Sequence, residues 1–263
     1  MSDQYYTASE AQLKLGLSKA MFFRKVRQGF IRKVVLPGMK QGVYPKRDID
    51  GLALSMQMIF DQQQGIIFSP SSIADQVEEL EIGIRSFGHS LITPLPERIA
   101  FQQRNELTFQ SLKVGGKVVG YLTMFNLSPS LLDDLLTGKK VEHEIKVSDV
   151  QPFPRLEPFD IYIDVMAVDP TLSAHLRHLY AGTLVSRFLD QILTMKNNGY
   201  LIEKVYTVTT SRAGEQLVRK LGFTKMEGKS LIPQRIAYCV FLDHESLLRL
   251  RSLSQRALVF DHR

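Results

Sequence analysis

Residues 113–125 read KVGGKVVGYLTMF, and residues 159–168 read FDIYIDVMAV. In the first stretch, Gly115-Gly116 separates two runs rich in β-branched and aromatic residues. That predicts a tight hairpin joining a strand over 107–114 to one over 117–125. The second stretch alternates. Phe159, Ile161, Ile163 and Val165 point one way and Asp160, Tyr162 and Asp164 the other, until Asp169-Pro170 stops the strand. Downstream, a loop leads to a helix from about 180 to 196, then a strand over 204–209. A short helix over 212–221 follows, capped by Thr210 or Ser211 and ended by Gly222. Strands at 224–226 and 236–242 close the pattern. Upstream lie helical pieces at 73–80 and 96–101, and residues 128–158 read as a looser helical insert.

Working outward, Ser69-Pro70-Ser71-Ser72 predicts a linker over 66–72. It separates a body over 73–243 from a head over 1–65. Residues 244–263 read as a C-terminal helix or tail. Net charge is +6, but residues 1–47 hold ten Lys or Arg against two acids, so this fifth of the chain is +8 and the rest is −2. A basic module on a near-neutral body is the electrostatic footprint of a polyanion-binding head.

The head has matching local signals. Thr7-Ala8-Ser9-Glu10 forms a capping box, and Gly16 ends the helix it starts. Ser18 caps a second helix, Lys19 to Gln28, which Gly29 stops. Phe22 and Val26 face inward, while Lys19, Phe23 and Arg27, with Arg24 beside them, form a basic stripe. Residues 31–36 and 43–44 predict a hairpin around Pro37-Gly38, and Pro45 opens a third helix. The run YYTASEAQLKLGLSKAMFFRKVRQGFIRKVVLPGMKQGVYPKRDIDGLA resembles the winged helix-turn-helix of the MerR and excisionase families. That resemblance implies double-stranded DNA as partner, with Ser18, Lys19, Phe23, Arg24 and Arg27 at the major groove and Lys40 on the wing touching the backbone. One head neutralises few phosphates and should bind weakly, which a homodimer on two half-sites would correct.

The body carries four fragments in order: KVGGKVVGYLTMF, IDVMAVDP, RHLYAG and TSRAGEQLVRKLGF. Together they resemble the GNAT superfamily of acyl-CoA N-acyltransferases. The resemblance implies an α+β fold overall, with the winged helix-turn-helix followed by a mixed α/β domain on a central, mostly antiparallel sheet. It implies that the strand at 159–168 splays from the one at 203–209, with acyl-pantetheine in the gap. Acetyl-CoA is the implied co-substrate and an unspecified amine the acceptor. Val168, Arg177, His178, Leu179, Tyr180, Ala181, Gly182 and Thr183 are then the cofactor-binding residues, their amides and helix dipole favouring the pyrophosphate. Two positions depart from the family. Tyr180 replaces the first glycine of its phosphate loop, and Val218 replaces a tyrosine that protonates the leaving thiolate. A base is required; Asp160 and Asp164 are the candidates, with Glu157 just before the strand. His175 and His178 could aid phosphate binding or act as a base.

Composition narrows the rest. A 44% apolar and 23% charged chain is globular. One cysteine, Cys239, allows no intrachain disulfide and favours a reducing cytoplasm. The stretch around it reads as core. Apolar runs fall short of a membrane span, the N-terminus lacks signal-peptide character, and the six histidines lack metal-ligand spacing. Three readings stay open: a DNA-binding regulator with an active acyltransferase, a regulator whose body only senses a ligand, and a non-enzymatic DNA-binding accessory factor.

Overall fold

The computed structural model describes residues 4–37, 41–228, 230–243 and 245–247, with the side chains of residues 57–64 outside that description. Lys40 and most of the predicted C-terminal helix, residues 244 and 248–263, lie outside the described residues. The chain divides into two separately packed units at residues 66/67.

The first unit begins with β1 (Tyr5–Tyr6), α1 (Ala8–Leu15) and α2 (Lys19–Arg27), and continues with β2 (Tyr44–Pro45) and α3 (Lys46–Gln64). Its caps follow the sequence signals. Thr7 and Glu10 form the reciprocal box, Gly16 sits in the left-handed region at φ 62°, and Ser18 accepts from the Met21 amide. Three residues therefore join α1 to α2. β1 pairs antiparallel with β2, and Val34 bridges Val43. The core is Ala11, Leu15, Phe22, Ile31, Tyr44 and Ile49, with the Phe22 and Tyr44 rings edge to face at 5.0 Å.

The second unit opens with β3 (Ile66–Pro70), α4 (Ile73–Phe87) and α5 (Leu95–Arg104). The hairpin β4 (Phe109–Val114) and β5 (Lys117–Leu127) follows, then α6 (Pro129–Thr137) and β6 (Val150–Gln151). Next come β7 (Pro158–Val168), α7 (Ala174–Asn197), β8 (Leu201–Thr209), α8 (Arg212–Lys220), β9 (Thr224–Lys225) and β10 (Ile236–Phe241). The sheet runs β3-β4-β5-β7-β8-β10-β9, with β6 paired to β5. β7 and β8 are parallel, joined through α7; β5 is antiparallel to β4, β6 and β7, and β10 to β8 and β9. The mixed α/β architecture on a central, mostly antiparallel sheet is as the sequence led us to expect.

One face of the sheet carries Phe109, Phe125, Tyr162, Tyr206 and Cys239 against Phe101 of α5 and Leu131, Leu132 and Leu135 of α6. Cys239 is core, and burial pushes its thiol up to about 11. The alternate residues Leu122, Met124, Ile161 and Ile163 are also buried. The long helix α7, which touches β5 and β7, supplies the apolar set that remains: Leu184, Val185, Phe188, Leu189, Ile192 and Met195.

Three expectations are corrected. The predicted linker over 66–72 is mostly β3, an edge strand beside β4; the Ser-Pro cluster caps α4 rather than forming a tether, with Ser72 and Asp75 in a capping box. The helix expected from about 180 starts at Ala174, because Ser173 caps it and accepts from the Leu176 amide. Residues 177–182 are therefore helical turns and not a loop. The first two turns of α7 have no fully buried residue, and only Leu176, Leu179 and Tyr180 are half-buried among exposed neighbours, so the apolar periodicity there is weak. Finally, β7 does not alternate to its end. Its pairing with β5 shifts between Thr123 and Met124, leaving Asp164 without a cross-strand partner. Such a bulge inserts one residue and reverses the phase. Val165 consequently packs with Ile82, Val118, Tyr121 and Ala167, away from Ile161 and Ile163.

Candidate active site

The ladder between β7 and β8 runs from Pro158↔Leu201 to Ile163↔Thr207 and ends there. The Thr207 hydroxyl donates to the Ile163 carbonyl at 3.0 Å, closing the last rung. Beyond it, Val165 to Val168 pair with β5, and Val208 and Thr209 pair with β10. The two parallel strands thus part into a wedge, each with one backbone edge turned to the gap. Backbone N–H and C=O groups there need partners from a ligand or water.

Asp164 is the bulge residue at the apex of the wedge. Burial raises its carboxyl to about 8, with the Glu142 carboxylate adding to the rise and Arg98 and Arg235 opposing it. Two ion pairs therefore flank it. Glu142, in the short turn Glu142–Glu144 after α6, accepts from the buried Tyr162 hydroxyl and from both terminal nitrogens of Arg235, at 2.6 and 3.0 Å. Glu142 is held below the ordinary carboxylate range; its burial pushes upward, and the Arg235 and Tyr162 hydrogen bonds outweigh that. The second pair joins Glu79 of α4 to Arg98 of α5, both buried. Glu79 also accepts from Ser71 at 2.5 Å and Ser111 at 2.7 Å. The Arg98 guanidinium lies 4.0 Å from the Phe109 ring centroid and 5.6 Å from that of Tyr121.

Asp160 is in a different place. It stands opposite Lys204 where β7 and β8 are still paired, four residues, or roughly 13 Å, before the apex. One of its carboxyl oxygens is buried without a hydrogen-bond partner, and burial raises its pKa despite Lys204. Glu157 precedes the strand and is exposed.

The predicted cofactor residues fall at the end of β7 and in the first turns of α7. Val168 ends β7 opposite Gly120. A Cβ on Gly120 would lie 2.8 Å from the Ala167 carbonyl oxygen, so the two strands approach closely there. Arg177 and His178 are exposed in the first turns of α7, Leu179 and Tyr180 are half-buried, and Ala181 is exposed. Gly182 is half-buried, and the buried Thr183 donates to the Leu179 carbonyl at 3.0 Å. The Arg177 amide already donates to Ser173, and the Leu176 amide to the Ser173 hydroxyl. The orphan amides of α7 are therefore those of Ala174 and His175. Val218 is buried in α8, so no hydroxyl is presented from that position.

In the first unit, the N-cap Ser18 and Lys19, Phe23, Arg24 and Arg27 of α2 are all exposed, while Phe22 is buried. The remaining predicted contact, Lys40, is outside the described residues. Among the described residues no three His, Cys, Asp or Glu are grouped to hold a metal, and no helix is long and apolar enough to cross a membrane.

Sequence reasoning finds Asp164 but misses Glu142, Arg235, Arg98 and Glu79. Glu142 and Arg235 lie 93 residues apart, a separation with no periodic trace. Glu79 leaves a faint one: with Asp75 and Gln76 it forms a polar stripe at helical spacing on α4.

No family model and no curated protein matches the chain. Solved structures do. Ard1 from Thermoplasma volcanium is 12% identical with a TM-score of 0.46, over 68% of this chain and 99% of that one. A GNAT-family acetyltransferase from Bacillus cereus is 15% identical with a TM-score of 0.41, over 67% and 96%. An N-acetyltransferase from Staphylococcus aureus Mu50 is 15% identical with a TM-score of 0.44, over 68% and 99%.

Proposed function

We propose that the second unit is a GNAT-type N-acyltransferase that moves an acyl group, acetyl in the simplest case, from acyl-CoA to an amine. The observation that carries this reading is the wedge: two parallel strands that part beyond Ile163 and Thr207, with Asp164 at the apex. The unpaired edges of β7 and β8 suit the amides of a pantetheine arm, which would lie as an extra strand between them. The diphosphate would rest on the first turn of α7. There the amides of Ala174 and His175 are unsatisfied and Arg177 and His178 are exposed. This places the anion earlier than the 177–182 segment that the sequence suggests. Acyl-CoA brings the activated thioester to the wedge.

Asp164 is the base in this scheme. Its carboxylate takes one proton from the ammonium form of the acceptor, leaving a neutral amine. The nitrogen then bonds to the acyl carbon, the carbon–sulfur bond breaks, and the second nitrogen proton passes to the departing thiolate, giving the amide and the CoA thiol. A carboxyl titrating near 8 has a driving force matched to an amine at neutral pH. Asp160, far from the apex and beside Lys204, is a structural carboxylate. The buried Val218 leaves the thiolate without a hydroxyl donor from α8, which favours one further reading: slow turnover, with ligand sensing as the principal role.

The first unit is a DNA-binding head in this proposal. Support comes from the short exposed face of α2 bearing Ser18, Lys19, Phe23, Arg24 and Arg27, and from the charge of residues 1–47. Two measurements test the role of the second unit. Calorimetric titration with acetyl-CoA should give saturable binding, and thiol release with a panel of amines should identify an acceptor. Absence of binding at millimolar ligand overturns both the enzyme and the sensor readings, and leaves the head to be tested on duplex DNA alone.

A further inference from the structure

Helix α4 wears its polarity inside out. The face it buries carries Asp75, Gln76 and Glu79, along with Ile82 and Gly83. Glu79 meets Arg98, Ser71 and Ser111, while Asp75 meets Lys113 at 2.9 Å. The outward face is apolar. Ile73 is 60% exposed, Val77 45%, Ile84 38% and Phe87 45%, with Leu80 half-buried among them. A surface helix ordinarily shows the reverse arrangement.

The spacing of that outward row is informative. Positions 73, 77, 80, 84 and 87 alternate steps of four and three, the 3.5-residue repeat of a seam between two helices packed side by side. Leu91, 58% exposed, continues the row into the turn His89–Leu91. Glu81 and Arg85, paired at 3.4 Å, flank it.

We propose that this row is the surface through which two copies of the chain associate, α4 against α4 about a two-fold axis. Leu80 sits at the midpoint, with Ile73 and Val77 on one side and Ile84 and Phe87 on the other, so the same patch can face itself. The area suffices. The exposed fractions correspond to roughly 400 Å² of apolar surface per copy. At an apolar share of about 60% that gives roughly 1,300 Å² of total interface, within the range of stable complexes. The inference is independent of the acyl-transfer and DNA-binding readings.

Sedimentation velocity on the full chain tests it. The wild type should sediment at twice its 29.9 kDa chain mass at about 50 μM. The Val77→Glu/Ile84→Glu variant should sediment as a monomer with an unchanged far-UV circular dichroism spectrum. Leu80→Cys should form an interchain disulfide under mild oxidation, whichever direction the helices run. The wild type, whose sole Cys239 is buried, should not. A wild type that stays monomeric at that concentration overturns the proposal, as does a dimer unaffected by the two glutamates. Should the double variant misfold, failure of Leu80→Cys to cross-link within a wild-type-like dimer overturns it equally.

Discussion

Arg235, just before β10, holds both carboxylate oxygens of Glu142, at 2.6 and 3.0 Å, across 93 residues of sequence. This fixes a negative charge within electrostatic reach of Asp164 and pairs it with a cation. The Asp164 carboxyl consequently feels burial first and the Glu142 charge second, both favouring its protonated form.

The pH dependence follows from that environment. The rate of amine acylation should rise with pH through a midpoint near 8, as Asp164 loses its proton. Asp164→Asn should lower kcat by about 10²-fold or more while leaving the acetyl-CoA dissociation constant nearly unchanged. Glu142→Gln removes the like charge and should move the midpoint down. Steady-state pH profiles of the three proteins check this; a midpoint unmoved by Glu142→Gln would count against the coupling.

Asp164 and Glu142 also affect stability, in opposite senses. The Asp164 carboxyl is raised, so the folded state holds its proton and stability falls as pH rises from the unfolded value near 3.8 through about 8. The Glu142 carboxyl is lowered, so its contribution is present above its ordinary value of 4.5 and is lost as pH falls below that. Urea unfolding across pH should show both limbs, and Asp164→Asn should flatten the upper one.

The Glu79–Arg98 pair is a stability element. Arg98→Met would leave Glu79 buried without its cation and should cost about 3–5 kcal/mol. Coupling it with Glu79→Leu should recover much of that stability, because the uncompensated charge disappears. Thermal unfolding of single and double variants measures the difference. An Arg98→Met protein as stable as wild type would show that the pair is unimportant.

Gly120 sets the approach of β5 to the end of β7. Gly120→Ala places a Cβ against the Ala167 backbone oxygen, so the strand end must move; the expected cost is about 1–3 kcal/mol. Since Ala167 and Val168 border the wedge, acetyl-CoA affinity should fall as well. Calorimetry of the folded variant separates the two effects.

For the head, Lys19→Ala with Arg24→Ala should weaken duplex binding and reduce the salt slope by about 0.9 for each phosphate that is no longer neutralised. Phe22→Ala, which empties the core of the same unit, should instead unfold it at a cost of about 3–5 kcal/mol. Comparing the two separates weakened phosphate binding from unfolding.

Local signals are legible in the sequence, and long-range ones are not. Thr7, Ser18 and Gly16 announce their helix ends because capping acts within four residues. Gly115-Gly116 announces the hairpin for the same reason. The strand at 66–70 reads as a linker, since Ser69 and Pro70 weigh locally and β4 lies some forty residues away. The start of α7 escapes detection because residues 174–179 bury only Leu176 and Leu179, and those only partly, too little to set a clear period. Asp164 stands out through its position on a strand. Its bulge, and the ion pairs around it, depend on a register that only the folded sheet defines.

The order in which the strands are made differs from the order in which they lie. Among the described residues β10 is the final strand, yet it sits between β8 and β9, and Arg235 precedes it directly. During synthesis the edge of β8 stays bare, and Glu142 stays without its counter-ion, until nearly the whole second unit has left the ribosome. A chain released early would carry an open sheet edge and an uncompensated carboxylate, which marks it for aggregation or proteolysis.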